Sequence, residues 1–220
     1  MNLKYTNKLS DNSATMLLYK PIGRDGIDGA AFADELYWHS KNVPLINVRI
    51  NTPGGSIFDG YSIYAAMREV GVSVDTYNDF LAGSMGGIIA QQGRKRYAAD
   101  NSLIMLHNPS GGDSKKDKEI LGLLKNSLGE TFTQRTGKES EIISDLMDVE
   151  SWVEARMVNG VSPMIEAGLA DELFSSSVKI SPKAQIFNAQ KLYSYSNNIL
   201  TQNSMENEKI EQLTKKVDSL

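Results

Sequence analysis

Three short stretches hold residue types that could do chemistry together. The first, "NTPGGS" at residues 51 to 56, ends a hydrophobic run and turns at once into a helical pattern. Paired glycines after a strand permit positive φ and let backbone N–H groups face a ligand, and the following helix presents its positive end. Such a corner suits an anion or a developing oxyanion. No Gly-Lys-Ser/Thr follows, so the phosphate-loop reading fails, and the dinucleotide fingerprint is also missing. Glycine used for turn geometry alone is the competing account.

The second stretch, "FLAGSMGGIIAQQG" at 80 to 93, sets Ser84 among small residues before an apolar helix. A serine there is either an N-cap or a hydroxyl displayed for chemistry. It departs from the Gly-x-Ser-x-Gly elbow, because Ala82 takes the first glycine position. The third, "SLIMLHNPSGG", delivers His107 at the end of a strand, where open α/β sheets place their ligands. The chain has only two histidines. The other, His39, falls in a helix and reads as a surface or packing residue.

The elements that must position these residues are legible at coarse grain. "ATMLLYKPIG" (14 to 23) and "PLINVRIN" (44 to 51) read as strands, with a helical pattern over 28 to 41 between them. A helix over 56 to 69, a strand over 72 to 77 and a helix over 84 to 92 follow. "RKRYAAD" and "SLIMLH" read as further strands, 113 to 136 and 139 to 147 as helices, and "VSPMIEAGLADEL" as a helix returning to an edge strand. Repeated β-α-β units argue for an α/β fold with a parallel sheet covered by helices. The chain divides into an N-terminal segment (1–13), a packed domain (14–180), a polar linker (181–205) and a short tail (206–220). In that tail Ile210, Leu213, Val217 and Leu220 follow the rhythm of a coiled coil.

Composition narrows the function classes. With 220 residues, 40% hydrophobic and 23% charged, the chain can bury a full core. A net charge of −4 with scattered Lys and Arg leaves no electrostatic footprint for nucleic acid. The absence of cysteine excludes disulfides, thiolate metal sites and a thiol nucleophile. No apolar run approaches the roughly 20 residues of a membrane span, so no membrane partner is expected and the chain reads as intracellular.

Taken in order, "NTPGGS", "GYSIYAAM", "AGSMGG", "MLHNP" followed by Gly-Gly, and "EAGLADEL" resemble the ClpP family of serine peptidases over residues 14 to 175. The resemblance implies a ClpP/crotonase-like fold, Ser84 as nucleophile and His107 as general base. Backbone N–H groups of Gly55 and Met85 would then form the oxyanion hole. The family's acid lies two residues before an aromatic. Here that position is Glu150, before Trp152, a glutamate where the family has aspartate; Asp148 is the alternative acid. Asp171 comes after the expected position and reads as a turn or cap residue. An extended peptide would add as a strand between Gly54, Ser56 and Ile57 on one side and Pro109, Ser110 and Gly111 on the other.

Within the family, the short domain, the polar tail and Trp152 most resemble phage prohead proteases. That implies a capsid or scaffold protein as substrate, a homo-oligomer with a ring among its forms, and a place in the host cytoplasm within the assembling procapsid. The segment 113 to 136 corresponds to the family's handle helix, shorter by roughly a helical turn or more. No metal or cofactor is implied. The alternatives are a housekeeping ClpP-type subunit, a crotonase-like acyl-CoA enzyme, a non-catalytic assembly scaffold, and a Ser-Lys peptidase using Lys95 or Lys115.

Overall fold

The computed structural model describes residues 3–175, which form a mixed α/β unit around an eight-stranded sheet. The linker and the coiled-coil-like tail lie outside the described residues. In chain order the strands are β1 (Thr6–Leu9), β2 (Ala14–Leu18), β3 (Leu45–Thr52), β4 (Ser73–Gly83), β5 (Arg96–Ala99), β6 (Leu103–Leu106), β7 (Ser151–Glu154) and β8 (Glu172–Phe174). The helices are α1 (Gly29–Ser40), α2 (Ile57–Glu69), α3 (Met85–Ala90), α4 (Lys115–Thr136), α5 (Ser140–Asp148) and α6 (Pro163–Glu166).

A parallel run β2-β3-β4-β5-β8 forms the backbone of the sheet, as the alternating β-α-β pattern requires. β4 is its branch point. Thr76 to Asn78 pair with β5, whereas Leu81 to Gly83 pair with β6, also in parallel. The strand is therefore longer than the pattern over 72 to 77 suggests, and it carries the "FLAG" stretch up to the serine. Every second residue of β2 and β3 is buried, with Ala14, Met16, Leu18, Ile46, Val48 and Ile50 fully sequestered. They pack with Phe32, Leu36, Ile63 and Ile89 from α1, α2 and α3. The helix starts are locally encoded: Asp28 accepts from Ala31 N, Ser56 from Asp59 N, and Ser114 with Asp117 closes a capping box on α4.

Two strands escape the pattern reading. β1 pairs antiparallel with β2, so the N-terminal segment assigned outside the domain contributes an edge strand. β7 pairs antiparallel with β6. Both are short, and neither shows a clean apolar alternation. The helix expected within 161 to 173 shrinks to the single turn of α6, because Gly168 adopts φ 72 two residues beyond it.

His39 is fully buried, which removes the surface reading and leaves the packing one. Its Nε2 lies 2.6 Å from Thr6 Oγ1, and that hydroxyl donates to the buried Glu35 carboxylate at 2.5 Å. Glu35 also accepts from the backbone N–H groups of Lys4 and Tyr5, which staples the N-terminal segment onto α1. Burial holds His39 below the ordinary histidine value, with Glu35 acting in the opposite sense. The unfolded chain therefore takes up a proton near pH 6.5 that the folded chain accepts only at lower pH. Stability should be complete above about pH 6.5 and fall as acid is added. Urea melts of the parent and His39→Gln across about pH 5 to 8 check this. The variant should flatten the slope over that range, and an unchanged slope would assign the dependence to other groups.

Candidate active site

The chemistry-bearing residues stand at the carboxyl ends of three neighbouring parallel strands. β3 ends at Thr52 and runs into Gly54-Gly55, β4 ends at Gly83 before Ser84, and β6 ends at Leu106 before His107. The registers Thr52↔Ala82 and Gly83↔Met105 bring the three ends level. Ser84 N donates to Met105 O at 2.9 Å, extending that alignment by one step.

Ser84 and His107 meet directly, with Oγ and Nε2 2.7 Å apart. Ser84 is at the N-cap position of α3, yet its side chain makes no capping hydrogen bond. Its backbone sits at φ 51 and ψ −119, a sparsely populated region for a residue with a side chain. The hydroxyl is thereby displayed on a sharp strand-to-helix corner, although Ala82 breaks the usual elbow pattern. Neither Lys95 nor Lys115 lines the cleft around Ser84.

The paired glycines are required by space and by backbone conformation. Gly54 has φ 93, and a Cβ there would lie 2.6 Å from Gly83 O and 2.9 Å from Met85 N. Gly55 has φ 140, and a Cβ would lie 2.2 Å from Ile22 O. Hydrogen bonds then sort the N–H groups of the corner. Gly54 N donates to Thr52 Oγ1 at 3.1 Å and Ser56 N to Ile22 O at 2.9 Å. Among the described residues the Gly55 N–H has no protein acceptor. Nor does the Met85 N–H, the first of α3, which lacks an intrahelical partner by construction. Two unpaired donors thus flank the point where β3 touches the serine corner.

The carboxylates are arranged differently from one another. Asp148 accepts from Asn108 Nδ2 and from Lys125 Nζ, each at 2.6 Å. Those contacts, Asn108 foremost, hold its carboxyl below the usual aspartate value. Glu150 follows at φ 51, and its Oε1 accepts from Trp152 Nε1 at 3.3 Å. The β6–β7 ladder ends on the pair Leu106–Ser151, so His107 and Glu150 are each the first residue beyond it. Among the described residues, no carboxylate contacts the second ring nitrogen of His107. Asp171 is committed elsewhere, in an ion pair with Arg96 whose backbone N–H it also accepts at 2.8 Å.

A narrow apolar cleft opens beside Ser84 and His107. Ile57, Met85 and Ile88 line one side; Leu128 and Phe132 of α4 and Met147 of α5 line the other. Pro109 joins the lining, while Ser110 and Gly111 continue from it in an exposed loop. The contributions of α4 and α5 were not read from sequence. Leu128 and Phe132, one turn apart in the C-terminal half of α4, were the available signal. The Asn108–Asp148–Lys125 contact had none, since it joins three elements distant in sequence.

Among the described residues no helix is long and apolar enough to cross a membrane, and no group of His, Asp and Glu could hold a metal ion. A model of the Clp protease family matches residues 4–177. The match takes in the sheet from β1 to β8 together with the corner, the serine, the histidine and both carboxylates. The chain belongs to the Clp protease family of peptidases.

Proposed function

We propose that this chain is a serine endopeptidase working through Ser84, His107 and Glu150, with Gly55 and Met85 N–H as its oxyanion hole. The observation that carries this reading is the 2.7 Å Ser84–His107 contact beside two unpaired backbone donors. Ser84 Oγ attacks the scissile carbonyl carbon while His107 Nε2 takes the hydroxyl proton. The carbonyl oxygen gains its negative charge between the two N–H groups, which need no reorganisation to receive it. Collapse breaks the C–N bond, and His107 returns the proton to the leaving amine. A water then repeats the sequence on the acyl-enzyme, freeing the acid and restoring Ser84.

The peptide lies as an added strand along Gly54, Ser56 and Ile57, with Pro109, Ser110 and Gly111 on its other side. Main-chain pairing holds it with little demand on sequence. The residue before the cleaved bond enters the apolar cleft, so that residue is apolar. The natural substrate is a capsid or scaffold protein in an assembling phage head, and the chain acts there as a homo-oligomer. The polar stretch after the family match and Trp152 support this over a housekeeping role.

A fluorophosphonate should label Ser84 and leave Ser84→Ala unlabelled, as mapped by mass spectrometry; an adduct elsewhere would overturn the nucleophile. Turnover in that variant should fall on the order of 10⁴-fold or more with the fold intact by circular dichroism. Glu150→Gln should lower turnover strongly while Asp148→Asn leaves it nearly unchanged, and the reverse pattern would move the acid to Asp148. In a peptide panel, Leu or Met before the cleaved bond should exceed Asp or Lys by roughly 10- to 100-fold in kcat/KM. A preference for charge would remove the apolar cleft from substrate recognition.

A further inference from the structure

We propose that Trp152 is a positioning residue for the catalytic acid: its indole N–H anchors one carboxylate oxygen of Glu150 and leaves the other to meet His107. This rests on the Ser84–His107–Glu150 reading above and adds to it the group that would make a glutamate serviceable there.

A glutamate has one more rotatable bond than an aspartate, and holding it in a single geometry costs side-chain entropy. Glu150 is exposed, so packing does not hold it. Two constraints act instead. Its backbone is fixed at φ 51, a left-handed conformation at the turn from α5 into β7, where its N–H reaches Met147 O at 3.4 Å. Its Oε1 is tethered by Trp152 Nε1 at 3.3 Å. Trp152 itself is fixed by β7, which pairs Trp152 with Met105 and Ser151 with Leu106. That ladder ends on Leu106 and Ser151, so His107 and Glu150 are each the first residue beyond its last pair.

The indole is a donor only, so it can take just one carboxylate oxygen and offers nothing to compete for the imidazole N–H. Oε2 is left for His107 Nδ1, the nitrogen not engaged by Ser84. Rotation about the Oε1 anchor closes that bond as substrate fills the site, in keeping with catalytic hydrogen bonds that tighten only in the complex. The neighbouring carboxylate cannot substitute, because Asp148 is held by Asn108 and Lys125. The same contacts tie the residue after His107 to α4 and α5.

Trp152→Phe keeps an aromatic ring on the half-exposed edge strand and removes the donor. It should lower kcat by about three- to tenfold with KM little changed. The acid limb of its kcat/KM profile should move to lower pH, because a poorly held carboxylate stabilises the imidazolium less. Combined with Glu150→Gln, Trp152→Phe should cost nothing further. A melting curve checks the fold, and Trp152→Leu takes the same tests should the phenylalanine variant not fold. If Trp152→Phe is as active as the parent, more active, or equally damaging with and without Glu150, the positioning role is overturned while the triad stands. If Glu150→Gln itself is fully active, the acid assignment falls and this inference falls with it.

Discussion

The end of β3 can lie against the serine corner only because nothing projects from Gly54. A side chain there would occupy the space of Gly83 O and Met85 N, and pushing the strand away would separate the Gly55 N–H from the Met85 N–H. Oxyanion stabilisation depends on donors fixed before charge appears, so the proposed mechanism rests on this approach. The parallel registers of β3, β4 and β6 supply the rest. They bring three strand ends level, and the loops beyond them carry the glycines, the serine and the histidine. Ile22 completes the corner by taking up Gly54 O and Ser56 N, which leaves Gly55 N–H without an acceptor among the described residues.

Local rules are broken at the proposed site. Ser84 and Glu150 both have positive φ without being glycine, and strained residues persist only where the surrounding structure over-determines them. At Ser84 the determinants are the β4–β6 pairing before it and α3 after it. At Glu150 they are the end of α5 and the β7 pairing. Ser84 also forgoes the capping bond that its position offers, leaving its hydroxyl to His107. That combination separates a displayed hydroxyl from an ordinary helix start, and no propensity scale records it.

The parts of this arrangement legible in the sequence were those that leave a short local signature. Gly54-Gly55 after a β-branched run, Ser84 among small residues and His107 closing an apolar strand are each readable because type and neighbourhood coincide. The parallel sheet was readable from alternating periodicity. β7 and β1 were not, since "SWVE" and "TNKL" carry no alternation, and their pairing is imposed by partners distant in sequence. The extension of β4 through Phe80 and Leu81 was hidden by the same small residues that mark the serine. The carboxylates were ambiguous for a different reason: Asp148 and Glu150 are two residues apart, and only the partners Lys125, Asn108 and Trp152 tell them apart.

The two histidines show why contact geometry alone does not identify a site. Thr6, His39 and Glu35 form a hydroxyl, an imidazole and a carboxylate in contact, with a hydroxyl–imidazole distance of 2.6 Å against 2.7 Å at Ser84. That cluster even brings a carboxylate against its hydroxyl, although His39 Nδ1 meets none. Yet its hydroxyl bonds the carboxylate as well as the imidazole, so the relay order of a triad is absent. Glu35 is spent on the backbone of Lys4 and Tyr5, and His39 is wholly enclosed. Burial also disfavours the imidazolium that a general base must become. At His107 the conditions are reversed: an open apolar cleft, a strained serine and two N–H groups without partners. Access and unpaired donors, more than the hydroxyl–imidazole bond, separate the site from the staple.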